Sequence, residues 1–75
     1  MKLSEARSRR LLSVRKLAEV AGVAPATVYH IEHAKTAPSF RAIRDISAAL
    51  DLDPLDIKEF AAVIEGTGAG KAVAA

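Results

Sequence analysis

Gly22 and Pro25 constrain this chain more than any other pair of residues, because they bracket only Val23 and Ala24 between two short runs of helical periodicity. Before them Leu17, Ala18 and Ala21 share one helical face. After them Val28 and Ile31 do the same, with Val23 left to fill the corner. Gly22 stands where the earlier helix must stop, a position that usually needs a positive φ, which glycine adopts without a Cβ penalty. Pro25 suits the first turn of the next helix, where its missing N–H would be unpaired anyway and its fixed φ is already helical. Two helices must therefore meet at a sharp corner over one small core. By itself that pattern fits an ordinary helical corner; the flanking sequence decides what kind it is.

The same punctuation recurs along the chain. A first helix starts at Leu3 or Ser4, with Ser4 as the expected N-cap, and runs to about Arg10 or Leu12. Ser13 caps a second helix over 14–21, and Ala24, which has no side-chain acceptor, precedes a third from Pro25 to about His33. After the connection 33–38, Ser39 caps a fourth helix whose apolar face is Phe40, Ile43, Ile46, Ala49 and Leu50. Asp53-Pro54 repeats the cap-then-proline pattern and predicts a fifth helix from Pro54 to about Ile64. With no strand pattern and short connections, the expected fold is all-α. The domain is expected over 1–65, and 66–75, with three glycines, reads as a flexible Gly/Ala-rich tail. Gly70-Lys71 resembles the end of a phosphate-binding loop, but Glu65 occupies the place of its partner glycine and no strand precedes it.

A chain of 75 residues buries only about 60% of its unfolded surface, so marginal stability or dimerisation is expected. It has no cysteine to supply a disulfide or a thiolate metal site. His30 and His33 share a helical face at metal-binding spacing, but no third ligand is evident, so no metal or cofactor is expected. No apolar run approaches the roughly 20 residues of a membrane span, and no signal-like segment opens the chain; the expected setting is soluble and cytoplasmic. The net charge is only +2, yet Lys2, Arg7, Arg9, Arg10, Arg15 and Lys16 crowd one end while Asp51, Asp53, Asp56, Glu59 and Glu65 gather at the other. Such asymmetry either steers one end toward a polyanion or marks a solvated basic face.

Taken in order, these elements resemble the Cro/C1-type (XRE) helix-turn-helix family of phage repressors and bacterial regulators. The likeness runs from residue 4 to about 60. It rests on Arg7, Leu17-Ala18, Gly22-Val23, Val28, Ile31-Glu32, Pro38-Ser39 and the segment Ile46-Ser47-Ala48-Ala49-Leu50-Asp51-Leu52. The turn Ala21 to Val28 is also similar to those of LacI-type and MerR-type regulators, but these begin nearer the amino terminus. Here a full helix precedes the turn and no wing-forming hairpin follows.

The resemblance implies a five-helix, lambda-repressor-like domain whose third helix enters the DNA major groove. The implied base-reading positions are Pro25, Ala26, Thr27, Tyr29 and His30. Pro25 and Ala26 cannot hydrogen-bond a base edge, which departs from the family pattern and shifts the task to thymine-methyl contact and to Thr27, Tyr29 and His30. For Tyr29 the alternative is a half-buried ring over the fourth helix, and for Thr27 a hydroxyl bonded back to its own helix. The implied phosphate contacts are Ser13, Arg15, Lys16, His33, Lys35, Thr36, Arg41 and Arg44. Val14 replaces the family's usual glutamine after the cap, removing one such contact. Arg7 and Glu32 are expected to pair across the first and third helices. Ala34 takes a place usually held by glycine, at a cost of about 1 to 2 kcal/mol if it must be left-handed.

Relatives usually bind inverted repeats as two-fold dimers. Leu52, Leu55 and Phe60 are expected to close the core of the fourth helix, while Ile57, Val63 and Ile64 are candidates for a homodimer contact. The function implied is a sequence-specific, double-stranded-DNA-binding transcriptional regulator, a repressor of bacterial or phage origin. The alternatives are an antitoxin-like chain that binds a toxin partner and autoregulates its operon, and an interaction module that has lost DNA binding. No convergent nucleophile, base or ligand set suggests an enzyme.

Overall fold

Four successive helices end in the same hydrogen-bonded turn, and that repetition organises the molecule. The computed structural model describes residues 1–66. Its helices are α1 (Leu3–Arg9), α2 (Val14–Ala21), α3 (Pro25–Glu32), α4 (Phe40–Leu50) and α5 (Lys58–Gly66), with a 3-10 turn at Pro54–Asp56. After α2, the amide of Val23 donates to Ala18 O and that of Gly22 to Glu19 O, with Gly22 left-handed at φ 76°. This is a Schellman closure, which satisfies carbonyls that the helix end leaves open. Equivalent pairs of bonds close α1, α3 and α4, where the left-handed residue is Leu11, Ala34 and Asp51, at φ 56°, 55° and 54°. Only one of the four turns uses glycine. Each of the others carries a Cβ into the left-handed region, at a cost of about 1 kcal/mol or more.

Helix starts vary more. Ser13 Oγ accepts from the Lys16 amide at 3.0 Å and Ser39 Oγ from the Ala42 amide at 3.1 Å, as their positions predict. α3 starts from Ala24 with no side-chain cap, relying on Pro25 at its first position. α1 departs from expectation. Ser4 does not cap it: the cap position is Lys2, without a side-chain bond, and Glu59 Oε1 from α5 accepts from the Leu3 amide at 2.8 Å instead. The Met1 carbonyl also accepts from the Lys58 amide, so the chain start lies along the start of α5.

The core gathers Leu3 and Ala6 of α1, Leu17 and Ala18 of α2, Val28 and Ile31 of α3, Ala42, Ile43, Ile46 and Leu50 of α4, and Ile57 and Phe60. Every helix contributes, as a small all-α domain requires if no single face is to be left unpaired.

Several expectations near the C-terminal half need correction. The fifth helix does not run from Pro54. The 3-10 turn comes first, Ile57 is extended at φ −104° and ψ 118°, and α5 begins only at Lys58. The break lets Ile57 turn fully into the core, where it is 0% exposed. Ile57 therefore cannot serve as a surface dimer contact. Leu55 is exposed rather than core, and Leu52 is partly buried against the core. Phe40, expected on the apolar face of α4, is 55% exposed. It opens the helix, where its position lies beyond the contact stripe that Ile43, Ile46 and Leu50 follow. Gly66, the first residue of the expected tail, belongs to α5; residues 67–75 lie outside the described part.

Candidate nucleic-acid interface

α3 buries Val28 and Ile31 against the core and leaves Pro25, Ala26, Tyr29 and His33 exposed. The helical repeat places Pro25, Tyr29 and His33 one above another on the outer side, with Ala26 and His30 on the neighbouring row. Thr27 and His30 are half-buried. Of the expected base-reading positions, Pro25, Ala26, Tyr29 and His30 thus share the outer side of one helix, with the small residues at its beginning and the aromatic ones at its end, while Thr27 lies on its flank.

Tyr29 is 44% exposed. Its ring stacks on His33, with centroids 4.1 Å apart and planes inclined by 26°. His30 meets it edge-on at 6.0 Å, and the Lys35 ammonium lies 5.7 Å from the ring centre. The turn through Ala34 makes this possible, because a left-handed residue reverses the chain and returns Lys35 alongside the helix it has just left. His33 Nδ1 lies 2.9 Å from the Tyr29 carbonyl, which locks the imidazole against the helix end. Periodicity indicates the row of positions; the stack itself depends on side-chain rotamers, which no pattern of residue types specifies.

The orientation of α3 is held from behind. Arg7 Nε donates to Glu32 Oε2 at 2.7 Å and Nη2 to Oε1 at 3.1 Å, while Nη1 donates to the Leu12 carbonyl at 2.8 Å. The Glu32 side chain is 5% exposed. The hydrogen bond that Arg7 donates to Glu32, more than the carboxylate's charge, pushes the Arg7 pKa above its ordinary value against the opposing effect of burial. This two-pronged geometry fixes angle as well as distance. It joins α1, the loop before α2 and the last residue of α3.

The expected phosphate-contacting residues divide into two groups. Ser13 is occupied as the cap of α2, leaving the Val14 and Arg15 amides at the positive end of that helix. Arg15, Lys35 and Thr36 are exposed, and among the described residues neither Arg15 nor Lys35 has an ion-pair partner. Lys16 lies 3.5 Å from Glu19, while Arg41 and Arg44 share Asp45 at 4.0 and 3.1 Å. The basic N-terminal segment is not one uniform surface, because Arg7 turns inward and Arg9 faces Glu5 at 3.4 Å.

Val63 and Ile64 are partly buried against the core. Val63 and Ala62 line a shallow apolar groove facing Ala37 and Pro38, and Phe40 stands at its edge. Among the described residues no three His, Asp or Glu side chains cluster as metal ligands, and no helix is long and apolar enough to cross a membrane.

Comparison with curated proteins and with solved structures gives no match. A helix-turn-helix family model matches residues 3–57, from the first residue of α1 to the residue just before α5. The sharp α2–α3 corner, its glycine-closed turn and the exposed face of α3 all lie within that span, and the chain belongs to the Cro/C1-type (XRE) helix-turn-helix family of DNA-binding regulators.

Proposed function

We propose that this protein is a transcriptional repressor that binds an inverted-repeat operator as a homodimer, with α3 in the major groove of each half-site. The observation that carries this reading is the exposed row Pro25, Ala26, Tyr29 and His33 on a helix whose opposite side is bolted to α1 by Arg7 and Glu32. A rigid helix with a free face is what major-groove reading needs, since base-edge contacts tolerate little error in position. Tyr29, His30 and Thr27 supply the polar reading groups, and Pro25 and Ala26 fit against thymine methyls.

Arg15, Lys35 and Thr36 flank the reading helix as backbone contacts, joined by the α2 amides, by Ser13 as their cap, and by Lys16, His33, Arg41 and Arg44 farther out. Phosphate contacts of this kind set register and affinity, and base contacts set sequence. A single domain covers only one half-site, which is why a second copy is needed. Val63, with Phe40 beside it, is the best-placed apolar surface for that contact; Ile64 joins it at the same helix end. The protein acts by occupying DNA and performs no catalysis.

Selection of bound fragments from a randomised duplex pool tests this directly. Enrichment of an inverted repeat with half-site centres about one helical turn apart is the expected result, and Tyr29→Ala should weaken binding to it by about tenfold or more while leaving the fold intact. Failure to enrich any sequence would overturn the operator reading.

A further inference from the structure

We infer that DNA binding by this protein takes up a proton at His33, which makes its grip on phosphate stronger as pH falls. The inference rests on the DNA-binding reading above and concerns how one contact of that interface is switched on. Its basis is the hydrogen bond at 2.9 Å between His33 Nδ1 and the Tyr29 carbonyl. A carbonyl oxygen only accepts, so Nδ1 must carry the hydrogen. In the neutral ring the other nitrogen, Nε2, then holds a lone pair and has nothing to donate.

Phosphate oxygens also only accept. Neutral His33 therefore cannot hydrogen-bond a phosphodiester, although it stands at the end of the reading helix beside Lys35 and Thr36. Adding a proton at Nε2 converts the same ring, without moving it, into a charged donor. The ring is already immobilised by its bond to the carbonyl and its stacking on Tyr29 at 4.1 Å, so little side-chain freedom is lost when the contact forms. Lys35, 5.7 Å from the Tyr29 ring centre, supplies a second cation at the same corner. The groups gathered there are the Tyr29 phenol, His30 and the Lys35 ammonium. Among the described residues no carboxylate pairs with either histidine, and the nearby Glu32 is committed to Arg7. A phosphate arriving at this corner is the one anion that favours the protonated ring.

The test uses the full chain and a fluorescently labelled mixed-sequence duplex, since backbone contacts govern such binding, at one fixed ionic strength. Affinity is measured from about pH 8 to about pH 6, and calorimetry in two buffers of different ionisation enthalpy counts the protons absorbed. The wild type should tighten by about three- to tenfold and absorb protons on binding. His33→Gln should flatten the profile, His30→Gln should keep it, and His33→Lys should bind at the upper pH as the wild type does at the lower. Intact binding with no pH dependence, or a slope that survives His33→Gln, overturns the inference and leaves the DNA-binding reading standing. Absence of binding at every pH, to this duplex and to the selected operator alike, overturns both.

Discussion

The two helices of the corner are closed off in opposite ways. α2 carries its own stops: Ser13 caps its start and Gly22 takes the left-handed turn at its end. α3 has neither, since Ala24 cannot cap and Ala34 takes the left-handed position with a Cβ in place. What holds α3 comes from outside it, in the burial of Val28 and Ile31 and the clamp of Arg7 on Glu32. α3 thus carries no stop of its own, and its position is set by the rest of the domain.

Removing the clamp should show this most strongly. Glu32→Ala leaves the Arg7 guanidinium, 19% exposed, without its carboxylate, and should lower stability by about 3 kcal/mol in urea unfolding. A loss below about 1 kcal/mol would mean that α3 is held by its apolar face alone.

Gly22→Ala comes next. A Cβ there would meet nothing within 4 Å, so the cost is backbone strain alone, about 1 to 2 kcal/mol by the same measurement. The smallest effect, and the only gain, is expected from Ala34→Gly. Relief of strain is partly offset by the greater freedom of the unfolded chain, leaving roughly 0.5 kcal/mol of added stability. If Ala34→Gly destabilises instead, the end of α3 is not strained and the contrast between the two helices fails there.

The parts of the fold that were legible in the sequence are those whose cause is local. Ser13, Ser39 and Gly22 mark helix ends because each acts within a few residues of itself, and Pro25 does likewise. Asp53-Pro54 shows the limit of that grammar: it starts a helical turn correctly, but the turn stops when Ile57 is drawn into the core. Nothing local in Ile57 distinguishes it from a helical surface residue; the decision belongs to tertiary packing. Phe40 and Leu55 stay exposed for the same reason, since hydrophobicity gives a preference for burial and does not guarantee a place in the core.

At the interface, the outward row of α3 follows from periodicity once Val28 and Ile31 are assigned inward. The pairing of Arg7 with Glu32 was anticipated through family resemblance, and the structure draws it with both carboxylate oxygens engaged. The stack of Tyr29 on His33 had no sequence signal beyond a spacing of one helical turn. It depends on the rotamers of the two rings, which residue types alone do not specify.

The bond from the Leu3 amide to Glu59 spans 56 positions, and this has a bearing on biosynthesis. α1 precedes α5 in the chain yet has no side-chain acceptor of its own at its start. Because chains emerge from the ribosome at about 5 to 20 residues per second, several seconds separate the two partners. Until Glu59 is free of the ribosome, α1 has an open end, and Leu3 cannot settle in its final place. Although it precedes α5 in the chain, α1 is therefore completed only once α5 has emerged, and with it the helix that carries Arg7.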